Sequence, residues 1–297
     1  MRIYIARGVF HERIRIFFLL KLHLCNLDLK NELRVVRYML SFERCPSKDE
    51  LFLLLKLGQT QKNDLWDALQ SKQLAQKVRQ NLKVSHFLTI LDKRYPSQLQ
   101  EIYSPPVVLF YQGDIELLDS KKLLGVVGAR QCSSYALQAL TQLLPNVIQQ
   151  QLVLVSGLAK GVDGLTHQLA LKHHGKTIAV IGNGLDISYP SCNRALQTQI
   201  AHAGLLLSEY PLESRPLKYH FPLRNRIIAG LCQTVLVVEA RHHSGSLITA
   251  NLALQENRNV LALPGRINDI NSMGCNELIA AGAKPVLNSN DILEEFI

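Results

Sequence analysis

The chain has no pair of cysteines at C-x-x-C spacing. Its six cysteines, Cys25, Cys45, Cys132, Cys192, Cys232 and Cys275, are scattered. That excludes a disulfide scaffold and a zinc-ribbon type of site, and free thiols in a reducing cytoplasm are expected. Ten histidines are present without an H-E-x-x-H run, and the neighbours His173-His174 and His242-His243 would point in different directions from a helix. No metal is expected. Long apolar runs are also missing. Ile14–Leu20 is broken by Arg15, followed by Lys21 and His23, and lacks a small-residue cleavage site, so neither a membrane span nor a secretion signal is expected. Neither G-x-G-x-x-G nor G-x-x-x-x-G-K-[ST] occurs, which excludes an ordinary dinucleotide pocket and a P-loop. No G-x-S-x-G elbow occurs either, and no carboxylate pair stands out as acid and base.

What the chain does carry is positive charge, unevenly spread. Formal net charge is +9 over 297 residues, which favours a polyanionic partner. Residues 1–85 hold 16 Lys/Arg against 8 Asp/Glu, whereas 86–297 hold 17 against 16. Phosphate affinity in the larger part must then come from a few well-placed cations. Residues 1–16 are expected as a disordered extension. Residues 17–84 read as a small helical domain, broken at Cys45-Pro46-Ser47 and Gly58, with Leu51, Leu54, Leu55 and Leu57 at helical spacing and Trp66 and Leu69 filling its core.

From residue 85 to 297 the pattern becomes an alternation of short β-branched runs with helical stretches. After an approach loop at Ile90–Pro96 and a strand at Val107–Tyr111, strands are expected at Leu124–Gly128, Leu152–Ser156, Thr177–Gly182, Leu205–Glu209, Thr234–Glu239, Val260–Pro264 and near Pro285–Leu287. This α/β alternation implies a parallel sheet with right-handed crossovers and helices on both faces. Ligands of such sheets sit beyond the carboxyl ends of the strands. The residues just past those ends form a consistent set: Gly128-Ala129-Arg130, Ser156–Gly161 with Lys160, Gly182–Pro190, and Ser244-Gly245-Ser246 with Thr249. Glycines admit close backbone approach, and helix starts present free N–H groups to anionic oxygen. Around Phe221-Pro222, Lys218, Arg224, Asn225 and Arg226 add donors at the start of another helix. Asp163, Asp186 and Glu209 are read as holding Arg and Lys side chains in place rather than as catalysts.

These motifs together resemble the DNA-processing protein A (DprA, also called Smf) family, over roughly residues 86–290. The resemblance implies an extended Rossmann-like domain preceded by a sterile-alpha-motif-like helical domain. It implies binding of single-stranded DNA, loading of the RecA recombinase in natural transformation, and a homodimer joined through the Rossmann-like domain, with no cofactor and no catalytic step. Position by position it implies DNA-phosphate contacts at Gly128, Arg130, Ser156, Gly157, Lys160, Lys218, Arg224, Asn225, Arg226, Ser244, Gly245, Ser246 and Thr249. After Tyr189-Pro190, where relatives place a basic residue, this chain has Ser191-Cys192, which is expected to weaken that edge.

With aromatics at 6% of residues, phosphate contacts are expected to outweigh base stacking, for which Tyr189, Tyr219, His220 and Phe221 are the candidates. The rival is a nucleotide phosphoribohydrolase of the lysine-decarboxylase-like kind on the same architecture. Such enzymes need P-G-G-x-G-T-x-x-E, and the match here stops at Pro264-Gly265-Arg266.

Overall fold

The computed structural model describes residues 2–297, with side chains from Glu12 onward. Of the extension expected at 1–16, Met1 and the side chains of residues 2–11 lie outside the described residues. The chain forms two compact units, residues 1–95 with 104–110, and residues 96–103 with 111–297.

The first unit contains α1 (Arg2–Leu24), α2 (Leu29–Phe42), α3 (Lys48–Leu54), α4 (Gln59–Gln70), α5 (Lys72–Val84) and a short strand, β1 (His86–Thr89). Its helix starts follow local chemistry. Asp28 accepts the Asn31 N–H at the start of α2, and Ser47 with Glu50 forms a reciprocal capping box on α3. Gly58 precedes α4 and Ser71 caps α5. Leu19, Leu22, Val35, Met39, Leu51 and Leu55 are buried, as is Leu69. Trp66 is only half-buried, and Lys48 lies 5.7 Å from its ring centroid. It borders the small core instead of filling it.

The remaining elements are α6 (Ser97–Gln100), β2 (Val108–Gly113), β3 (Leu123–Val127), α7 (Ser134–Gln149), β4 (Val153–Ser156), α8 (Val162–Lys172), β5 (Thr177–Ile181) and α9 (Arg194–Ala203). There follow β6 (Leu205–Ser208), α10 (His220–Leu231), β7 (Thr234–Val237), α11 (Gly245–Gln255), β8 (Asn259–Ala262), α12 (Met273–Ala280), β9 (Lys284–Pro285) and α13 (Ser289–Leu293). In the second unit the strands run in the order β6-β5-β4-β3-β7-β8-β9, with every neighbouring pair parallel. The order reverses between β3 and β7, as in a doubly wound nucleotide-binding sheet. The protein is α/β, with a parallel sheet and a helical N-terminal unit.

Both sheet faces are covered, which is why the strands read as unbroken apolar runs. Leu124, Val126, Leu154, Leu236, Val238 and Leu261 pack with Leu140, Leu144 and Val147 of α7 and Leu169 of α8. The alternate residues Leu123, Val127, Val235 and Val237 are equally buried and point the other way. Val127 pairs with Val237, Val237 with Ala262, Ser156 with Ala179 and Ile181 with Ser208. Strands in that register end together, so the loops after them gather along one edge. Most strands stop a residue or two before the expected boundary, where the chain turns away to start the next helix.

Candidate nucleic-acid interface

At the carboxyl edge of β3, β4 and β5 lies a hollow of about 210 Å³, lined by Arg130, Gly157, Ala159, Lys160, Ile181–Asn183, Tyr189, Pro190, Phe221 and Arg224. It sits beside the point of strand-order reversal, on the β3-β4-β5 side. Arg130 and Lys160 are exposed. Arg130 lies over the Phe221 ring with Cζ 5.5 Å from the centroid, and Tyr189 stands 5.5 Å from Phe221, centroid to centroid. The mouth thus combines two exposed cations with two aromatic surfaces, one of them already in cation–π contact.

The floor is built by the loop between β4 and α8. Gly161 has φ +75°, and a Cβ there would stand 2.3 Å from the Ala129 carbonyl oxygen, so no other residue suits the position. Val162 N–H donates to Ala129 O at 3.2 Å, tying this loop to the one that carries Arg130. Asp163, buried at the first turn of α8, accepts the N–H groups of Gly157 and Ala159 at 3.2 and 3.3 Å. The Gly157 amide, expected to cradle phosphate, is therefore held together with that of Ala159 by the protein's own carboxylate. Burial raises the Asp163 pKa, while the charge of Arg224 and the two backbone donors oppose the rise. The Asn193 amide donates to the carbonyls of Leu158 and Ala159, both at 3.1 Å, closing the far side.

Arg224 reaches the floor from α10. It is 5% exposed. Nη1 donates to Gly157 O at 2.5 Å and to Val180 O, and Nε donates to Asn225 Oδ1 at 3.1 Å. Burial, with Arg130 nearby, pulls its pKa down to about 10 against the pull of Asp163, so it stays charged at neutral pH. Asn225 donates to Gly245 O at 3.5 Å, a long contact to the turn at the start of α11.

The structure brings together Arg130, Gly157, Lys160 and Arg224 of the expected set, and leaves the others elsewhere. Gly128 packs against Val162. Ser156 is fully buried and its hydroxyl donates to Val126 O at 2.6 Å, so it ties two strands and is not a ligand donor. Arg226 is buried and donates from Nη2 to both Glu209 oxygens, at 2.6 and 2.8 Å. Lys218 is exposed but does not line the hollow. Ser244, Gly245, Ser246 and Thr249 do not line it either. Ser244 and Ser246 share a hydrogen bond of 2.9 Å, and Thr249 is buried with its hydroxyl on Gly245 O at 3.4 Å. Of the carboxylates expected to hold cations, Glu209 does so for Arg226, whereas Asp186 accepts the Glu213 N–H.

Sequence reasoning missed the inward roles of Arg224 and Arg226. A signal existed: both stand in a helix whose following residues, Ile227–Leu231, are all buried. Cations on such a helix must find internal partners. Among the described residues no group of three or more His, Cys, Asp or Glu is placed to hold a metal ion, and no helix is long and apolar enough to cross a membrane.

A sequence profile of the family described as DNA recombination-mediator protein A matches residues 86–297. The chain is 51% identical over 208 residues to the DNA processing protein DprA of Streptococcus pneumoniae, covering 70% of this chain and 73% of that protein. It is 44% identical over 209 residues to the DNA processing protein DprA of Bacillus subtilis, covering 70% of each. The X-ray structure of DNA processing protein A from S. pneumoniae matches with a TM-score of 0.86 at 40% identity, over 95% of this chain and 97% of that one. The DNA processing protein A of Helicobacter pylori, a structure described for its single-stranded DNA binding mode, matches with a TM-score of 0.64 at 31% identity, over 70% of this chain and 94% of that one.

Proposed function

This chain belongs to the DNA recombination-mediator protein A family, and from that premise we propose that it binds single-stranded DNA and passes it to a RecA-type recombinase without turning it over. The observation that carries the reading is the hollow at the strand ends, where Arg130 and Lys160 meet Tyr189 and Phe221. Two free cations can neutralise successive phosphates while an aromatic face receives a base. A single strand can dip a phosphate and a base into a hollow of this size. A duplex presents its phosphates on a stiff rod with the bases already stacked. Lys218 and the Ser244–Ser246 turn lie outside the hollow and extend the proposed path only as flanking contacts. The near-balanced charge of residues 86–297 agrees with binding by a few placed cations. A homodimer joined through the Rossmann-like unit completes the proposal. The exposed Ile267, Ile270 and Met273 on that unit offer apolar surface for it.

The test is affinity for oligothymidine and for duplex of the same length across a salt series. Single strands are expected to bind more tightly, with log K falling linearly against log salt. Arg130→Ala is expected to cost about 1.5–3 kcal/mol of single-strand affinity, the range for a hydrogen bond to a charged group. Wild-type affinity in Arg130→Ala, or equal affinity for duplex, would remove the hollow from the DNA path.

A further inference from the structure

We infer that Arg224 is a positioning residue of this site, a buried clamp that sets the shape of the 157–161 loop and so the placement of Lys160 and Arg130. The inference rests on the DNA-binding reading for its consequence, but its geometry is independent of it. One stretch of backbone, Gly157 to Ala159, is gripped from two sides. Asp163 takes the N–H groups of Gly157 and Ala159, and Arg224 takes the carbonyl of Gly157. Through the same Nη1, Arg224 also takes the carbonyl of Val180 in β5. The guanidinium therefore ties α10 to the ends of two adjacent strands.

The fit against Gly157 is close. A Cβ built on that residue would lie 2.3 Å from Nη1, 2.5 Å from Cζ and 2.5 Å from Nη2 of Arg224. The plane of the guanidinium is laid against the glycine Cα, an arrangement that any side chain at 157 would displace. Two of the three guanidinium nitrogens are engaged by the protein, and among the described residues Nη2 has no hydrogen-bond partner. A phosphate ligand would be expected to present its fork to the mouth, as exposed Arg130 does. Arg224 instead turns Nη1 onto two carbonyls beneath the surface. A lysine, a single point charge on a flexible stem, cannot reproduce the planar contact with two carbonyls and the glycine face. The loop it holds carries Lys160 and is bonded through Val162 N–H to the backbone beside Arg130. Loss of the clamp therefore reaches both cations without removing either.

The test uses the full chain with Arg224→Lys, Arg224→Met and Gly157→Ala. The last keeps every charge and pushes the guanidinium away, so it carries the test alone if the Arg224 variants do not fold. Two measurements are made. In the free protein, amide hydrogen exchange over residues 156–163 is expected to quicken in all three variants. With oligothymidine, all three are expected to bind more weakly by about tenfold or more, as misplacement of binding groups does. The slope of log K against log salt should stay that of wild type, because no phosphate contact has been removed. Two results would overturn the inference: wild-type exchange in Arg224→Lys and Gly157→Ala, or a slope shallower by about 0.7 in Arg224→Met, the signature of one lost phosphate contact on a single strand. If the wild-type protein fails to bind oligothymidine, the functional proposal falls while the exchange measurement still decides the role of Arg224.

Discussion

Three arginines show how one residue type takes three roles according to burial. Arg130 is exposed at the mouth and rests on Phe221, Arg224 is locked in the floor, and Arg226 is buried against Glu209. The last pair is a matter of stability. Nε and Nη1 of Arg226 are buried with no hydrogen-bond partner among the described residues, so Glu209 is its principal compensation. Removing one member of a buried pair strands the other charge, at a cost of about 3–5 kcal/mol. Glu209→Ala is therefore expected to lower the urea midpoint by a corresponding amount while leaving the salt slope of DNA binding unchanged. A loss under about 1 kcal/mol would mean that water already solvates Arg226.

Helices α8 and α10 carry the buried polar groups beneath the site, and α8 gives the protein an acid limit. His167 is fully buried on α8, one turn from Asp163. The Thr177 hydroxyl donates to Leu154 O, so it accepts from His167 Nδ1–H at 2.7 Å, and the ring is neutral, with Nε2 lacking a partner among the described residues. Burial, with Arg224 adding repulsion, holds the His167 pKa down to about 3. The unfolded histidine titrates near its ordinary 6.5, so below that pH the unfolded chain binds a proton the folded one refuses. Its contribution is intact above about pH 6.5 and is lost at about 1.4 kcal/mol per pH unit as pH falls towards 3. Asp163, with its pKa raised, acts with the opposite sign at the acid end. Urea unfolding between pH 7 and 4 should show the decline, and His167→Gln should flatten it. An unchanged pH slope in that variant would mean His167 is protonated in the folded state.

At the scale of the whole molecule the proposed dimer would present two hollows to one strand. The second contact would then be intramolecular, with an effective concentration set by the DNA between the sites. Oligothymidine long enough to span both is expected to bind far more tightly than one filling a single hollow, with a sharp rise at a threshold length. A smooth increase with length, proportional to the number of binding registers, would argue for independent sites. Charge distribution bears on the same scale. The excess of Lys/Arg in residues 1–85 adds general attraction for a polyanion, whereas the hollow depends on the placement of two free cations.

The sequence alone determined the alternation of strands and helices, the loops that gather at the carboxyl edge, and the pairing of Arg130 with Lys160 there. Those features are written locally, in β-branched runs, glycines and helix-start residues, and register carries them to one rim. It did not show β1, because His86–Thr89 is too short for a two-residue period to stand out. Nor did it separate the ligand-facing residues of the expected set from those turned inward. Ser156, Arg224 and Arg226 carry the same donors as a phosphate site, and only tertiary packing turned them towards Val126, Gly157 and Glu209. The physical reason is that burial obliges every polar group to find a partner, and which partner lies within reach is a property of neighbouring strands and helices.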